Sequence, residues 1–346
     1  MKRFHILILT CGITLSQIKA QTPTSSPVDS LIIWGIDQTF NSQFDSALTT
    51  FQKLIDLHPN HIMGYFYKAA ALQFKLLDYE TDLWEEEYDD LIEEAIRLGK
   101  NQIREGDDDP WIYYYVGNCY GYKGLYQAKH GKFITGFLIA RNGLDFMKKA
   151  LERNQTLYDA YLIVGSYKYW YGRFSKYLNW LPMIHDEREE GIQMVKLAMD
   201  KGKFSYWVGL NNLAWIEYDR KNYESAKDLF SKGLVKYPNS RFFLWGVGDT
   251  SYRLEDYVAA VEIYEAILVS LQNLNENSDY NEIVCRFKLV QTYLGQKNFE
   301  KALLHCNVIL NKKVDEDVAK RIQSRREKTE EYQKQCIQHL HQTESD

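Results

Sequence analysis

The chain has 346 residues, 45% of them hydrophobic and 26% charged, with 26 Tyr, 16 Phe and 8 Trp but only 6 Pro. Such a composition belongs to a folded protein with a large core rather than to a disordered or fibrous chain, and scarce Pro favours long uninterrupted helices. A net charge of −5 argues against polyanionic partners, so neither nucleic acid nor an anionic membrane surface is an expected partner.

At the N-terminus, Lys2 and Arg3 precede an apolar run over residues 4–15, and a polar stretch then ends at Ile18-Lys19-Ala20. This pattern predicts a secretory signal over residues 1–20, cut near Ala20, with a Thr/Ser/Pro linker over 21–27. Cleavage would remove the three charges of Lys2, Arg3 and Lys19, taking −5 to −8. The run is too short for a permanent anchor, and no later stretch approaches the roughly 20 apolar residues that a transmembrane helix requires. Export to the periplasm or beyond is therefore expected, with outer-membrane association left open. Acylation of Cys11 would follow Thr10, a poor fit to the small residue such sites carry. The remaining cysteines, Cys119, Cys285, Cys306 and Cys336, form no CxxC pair. Buried free thiols are the expectation, with one bridge between Cys285 and Cys306 still open.

From Val28 onward apolar residues recur at helical spacing, and Pro59, Pro110, Pro182 and Pro238 fall where helices must break. Three segments repeat a pattern: Asn222-Tyr223-Glu224-Ser225-Ala226, Asp256-Tyr257-Val258-Ala259-Ala260 and Asn298-Phe299-Glu300-Lys301-Ala302. Ala226 and Ala260 stand 34 residues apart, a period that marks stacked helix pairs. Gln43-Phe44-Asp45-Ser46-Ala47, closed by Pro59, is a fourth copy.

On these residues the chain resembles the tetratricopeptide repeat (TPR) family. Trp34, Gly35, Phe44, Ala47, Phe51 and Pro59 match its positions, as do Leu213, Ala214, Tyr223, Ala226, Phe230 and Pro238. Units near 241–274 and 281–312 keep Gly248, Tyr257, Ala260 and Tyr264, then Leu289, Tyr293, Phe299 and Ala302, but lack the closing Pro. The middle is looser, with insertions near 123–136 and 173–187, and residues 313–346 suit a polar capping helix and tail. The resemblance implies an all-α solenoid, a right-handed superhelix of about seven helix pairs over 28–312, of an exported bacterial type. It also implies a concave groove lined by the first helix of each pair. In that register Trp111, Tyr114 and Asn118, then Asn211, Trp215 and Tyr218, then Trp245, Asp249 and Tyr252 would face a partner.

No catalytic or cofactor motif is present: the sequence has no GxSxG, HExxH or Walker pattern. Gly117, Gly121 and Gly124 lie in a helical aromatic run, where they read as packing rather than as a dinucleotide loop. Cys336, His339 and His341 cannot converge on one metal from a helix, and the acidic runs at 85–90 and 107–109 lack the ligand spacing of a calcium loop. No enzyme, cofactor or metal is expected. Surplus Tyr and Trp suit a partner-binding surface, so the expected function is a protein- or peptide-binding scaffold of the bacterial cell envelope. A glycan- or solute-binding module is the alternative.

Overall fold

A computed structural model describes residues 26–175, 186–274, 276 and 279–343. The signal segment with Cys11, most of the linker, the core of the 173–187 insertion and the last three residues lie outside these.

Among the described residues the fold is helical, without strands. Seven pairs follow in chain order: α1 (Pro27–Phe40) with α2 (Phe44–Leu57), α3 (Ile62–Tyr79) with α4 (Glu85–Arg104), and α5 (Pro110–Lys129) with α6 (Phe133–Arg153). Then come α7 (Tyr158–Ser175) with α8 (Arg188–Lys201), α9 (Tyr206–Asp219) with α10 (Tyr223–Lys236), α11 (Arg241–Arg253) with α12 (Tyr257–Gln272), and α13 (Asp279–Gly295) with α14 (Phe299–Asn311). A final long helix, α15 (Glu316–Thr343), packs on α13 and α14. Each helix packs on its chain neighbours, the arrangement of an α-solenoid.

A recurrent turn explains the pairing. Ser42, Lys221, Glu255 and Lys297 adopt left-handed φ values of 58°, 65°, 59° and 58°, and Gly131 at 77° does the same between α5 and α6. In each case one polar residue follows and then an aromatic opens the next helix: Phe44, Tyr223, Tyr257, Phe299 and Phe133. Asp256 and Asn298 cap their helices by accepting from the backbone N–H of Ala259 (3.2 Å) and Lys301 (3.1 Å). Asp109 does so for Trp111 (2.9 Å), just ahead of Pro110 at the first helical position.

The α5/α6 pair is longer than most, and residues 123–136 are chiefly its helical tip. Its two helices meet backbone to backbone. A Cβ on Gly143 would lie 2.5 Å from the Gly117 carbonyl oxygen, and one on Gly136 would lie 2.5 Å from that of Gly124. Gly165 of α7 and Gly191 of α8 meet in the same way.

The array also closes on itself. Phe40 of α1 stacks on Tyr237 (5.6 Å) and Phe243 (5.7 Å), and Phe74 of α3 meets Phe242 edge-on at 5.1 Å. Lys203 pairs with Asp29 at 2.7 Å, and the Tyr237 hydroxyl donates to Asp37. Deepest is the ion pair of Arg241 on α11 with Asp78 on α3, whose side chains are 5% and 2% exposed. The Arg241 Nε lies 2.9 Å from both Asp78 oxygens, its Nη1 donates to Ser270 (2.8 Å), and Asn281 donates to the Asp78 backbone carbonyl (2.9 Å). Arg321 of α15 bonds Glu80 at 2.6 Å.

The four described cysteines are free and buried. Cys285 donates to the Tyr264 carbonyl (3.1 Å) rather than bridging to Cys306. Burial first, and then Cys336 on α15, push the Cys306 thiol up to about 12.

Candidate binding surface

The nine residues read as groove-facing separate into two groups. Tyr114 and Asn118 on α5 are buried, with the Asn118 amide donating to the Tyr114 carbonyl (2.9 Å). Both line a partly open, mainly apolar hollow of about 70 Å³ walled by residues of α1, α3, α7 and α9, including Phe40, Phe66, Phe74 and Leu162. Pockets for drug-sized ligands start near 300 Å³, so the hollow as it stands is too small for one. Trp111 covers its edge, half-buried against Phe204 (5.7 Å) and Tyr115 (5.8 Å). Burial holds the Tyr114 and Tyr115 hydroxyls well above the ordinary tyrosine range, so both are neutral donors.

The other six remain half-exposed together. Asn211, Trp215 and Tyr218 occupy i, i+4 and i+7 of α9, and Trp245, Asp249 and Tyr252 occupy the same steps of α11, 34 residues on. Such spacing keeps each trio on one helix face. Trp215 meets Phe230 edge-on at 5.0 Å and Tyr218 at 5.5 Å, while Trp245 leans on Tyr264 at 6.1 Å. The Asn211 amide oxygen has no hydrogen-bond donor.

Asp249 ties two helices together. It accepts from the Tyr264 hydroxyl of α12 (2.5 Å) and from Lys288 of α13 (2.8 Å). Burial, followed by the Asp249 carboxylate, drives the Tyr264 hydroxyl far above its usual range and keeps it a donor. Arg253 donates to the Tyr218 hydroxyl at 3.1 Å, bridging α11 to α9. Lys288 and Arg253 extend the surface beyond the residues chosen from sequence. A Lys opposite Asp249 is not legible in the sequence, because α13 follows a lengthened turn that breaks the 34-residue register.

Residue types that can ligate metals are held in other roles. Cys336 is buried and His339 stacks on Phe299 at 4.3 Å, so both point onto α14. Asp82, Glu85 and His130 bring ligand atoms within 4.8 Å of one another. His130 Nε2 sits 3.7 Å from Asp82, and Nδ1 lies 3.0 Å from the Tyr126 carbonyl, contacts that hold the α3–α4 connection against the end of α5. No helix among the described residues is long and apolar enough to cross a membrane.

No protein-family model matches the chain, and no curated protein matches it. Among solved structures it is similar to a chain of the Cut9–Hcn1 hetero-tetramer of the APC/C at 12% identity and TM-score 0.49, over 82% of this chain and 44% of that one. The chain thus spans less than half the length of that neighbour. It is similar to TTC0263, a TPR protein of Thermus thermophilus, at 16% identity and TM-score 0.37, over 70% of this chain and 99% of that one. Human IFIT1, solved as a dimer with PPP-AAAA, matches at 12% identity and TM-score 0.44 over 94% and 83%. The TPR-like character of the fold rests on the chain's own features: seven successive helix pairs, the 34-residue step from α9 to α11, and the recurrent left-handed turn.

Proposed function

We propose that the chain is a non-catalytic scaffold of the bacterial cell envelope that binds a protein or peptide along the wall formed by α9, α11 and α13. The observation that carries this reading is that six of the predicted groove residues, on α9 and α11, stay partly exposed in register, whereas Tyr114 and Asn118 of α5 are buried and only Trp111 of that helix is partly exposed. Aromatic faces from Trp215, Trp245 and Tyr252 supply apolar area at small entropy cost. Asp249 with Lys288, and Arg253 with Tyr218, supply paired charge and donors that orient a polar chain crossing the wall. The signal-like N-terminus supports the envelope assignment.

Screening the purified protein against a peptide library, with affinities measured by calorimetry, tests the proposal. Trp215→Ala/Trp245→Ala should weaken a selected peptide by about 2 kcal/mol or more, near thirtyfold in Kd. A glycan array giving a Trp-dependent signal while no peptide is retained would replace this reading with sugar binding.

A further inference from the structure

The tip of the α5/α6 hairpin carries an apolar surface that the packing of the described residues leaves uncovered. Phe133 is 70% exposed, Ile134 79% and Leu138 54%, with Leu125 of α5 at 53% beside them, while Phe137, 39% exposed, stacks on Tyr171 of α7 at 5.6 Å and borders the patch. On α6, Ile134, Leu138 and Arg141 stand at i, i+4 and i+7, and Phe133 and Phe137 at i and i+4, so they form one continuous stripe. Phe133 makes the point most sharply. It occupies the same place after the left-handed turn as Phe44, Tyr223, Tyr257 and Phe299. Those four rings lie against Tyr79 (5.9 Å), Tyr218 (5.3 Å), Tyr252 (5.9 Å) and His339 (4.3 Å). Phe133 projects into solvent.

The charge around this stripe differs from that of the rest of the chain. Residues 110–144 contain no Asp or Glu, although the chain holds 47 in 346 residues, and within them lie Lys123, Lys129, Lys132 and Arg141. Lys123 and Lys129 are spent on Glu93 and Glu80. Lys132 and Arg141 are exposed at the two ends of the apolar stripe, and neither has a carboxylate within ion-pair distance among the described residues. An exposed apolar stripe ended by unpaired cations and free of acids is the surface that seats at a bilayer interface, apolar groups among the upper acyl chains and cations at the phosphates. The acidic charge of the whole molecule turns other faces away from an anionic bilayer and leaves this tip as the one favourable approach.

We propose that the α5/α6 tip docks the protein peripherally on a bilayer containing anionic lipid, with Phe133, Ile134 and Leu138 inserted and Lys132 and Arg141 on the headgroups. The wall on α9, α11 and α13 is built from other helices, so binding there and docking here are separable.

The test is co-sedimentation of the full chain with phosphatidylcholine vesicles, with and without about 30% phosphatidylglycerol. Two variants, Ile134→Asp/Leu138→Asp and Lys132→Glu/Arg141→Glu, are compared with wild type. Each carries the same apolar N-terminal run, so differences report on the tip alone. Wild type should bind the anionic vesicles, less at high salt, and both variants should bind about tenfold more weakly with unchanged thermal melts. Variants retained as well as wild type, or equal wild-type binding to neutral and anionic vesicles, would overturn the proposal. So would a dimer in light scattering that Ile134→Asp/Leu138→Asp dissociates, which would assign the stripe to a second copy.

Discussion

His305 of α14 lies 8% exposed, stacked on Tyr293 at 5.7 Å, with an Arg286 guanidinium nitrogen 3.3 Å from its Nδ1. Burial and then the Arg286 charge lower it from 6.5 to about 4, against an opposing pull from Glu265. The unfolded chain therefore binds more protons than the folded one between pH 6.5 and about 4. The stability tied to a neutral His305 is full above that interval and is lost as pH falls through it. His61, lowered mainly by burial, acts with the same sign. In His305→Gln the drop in Tm between pH 7 and pH 4.5 should be smaller than in wild type, and an equal drop would show that His305 titrates as an ordinary surface histidine. None of this was legible in the sequence, because a lone His on a helix carries no mark of burial. The same holds for Asp159, which lies 2% exposed and accepts from the backbone N–H groups of Lys203 and Phe204 (2.7 Å each) and from the Ser205 hydroxyl (2.7 Å), pinning the turn before α9.

Helix pairs were the most legible level, because each repeats its neighbour's solution. The Tyr223, Tyr257 and Phe299 segments share a turn and an apolar step, and the last two also a side-chain cap, so their sequences converge as their backbones do. The α5/α6 and α7/α8 pairs escaped the pattern because their close approach is set by glycine backbones. That difference is open to a direct comparison. A Cβ on Gly121 meets nothing within 4 Å, whereas one on Gly136 would collide with the Gly124 carbonyl. Gly121→Ala should stabilise the protein by about 0.5–1 kcal/mol through helix propensity. Gly136→Ala should destabilise it by about 1–3 kcal/mol, because two backbones must separate. Urea titrations giving the two variants equal midpoints would contradict the close approach.

At the scale of the molecule, an open solenoid unfolds from its ends, since each unit contacts only its neighbours. Here α3 is joined to α11 by a buried ion pair across 163 residues, and α1 to the α10–α11 connection by stacked rings. Arg241→Met leaves Asp78 buried without its partner and should cost about 3–5 kcal/mol. Hydrogen exchange should then rise in α1 and α3 as well as in α11. A rise confined to α11 would mean that the closing contacts contribute little. This closure is what sequence reading could not supply. Neither Asp78 nor Arg241 belongs to the repeat pattern, and without the closure the burial of Tyr114 and Asn118 around the central hollow could not be read.

Joining distant units also restricts how such a chain can change in length. In an open array, duplicating a 34-residue segment adds one more step to a spiral and leaves each existing unit its former neighbours. Between α3 and α11 that tolerance disappears. One extra pair there would advance Arg241 by a full step and rotate it away from Asp78, and one pair fewer would carry it short. The count of pairs across this interval is therefore set by ring closure, whereas additions beyond α15 would leave the clasp intact.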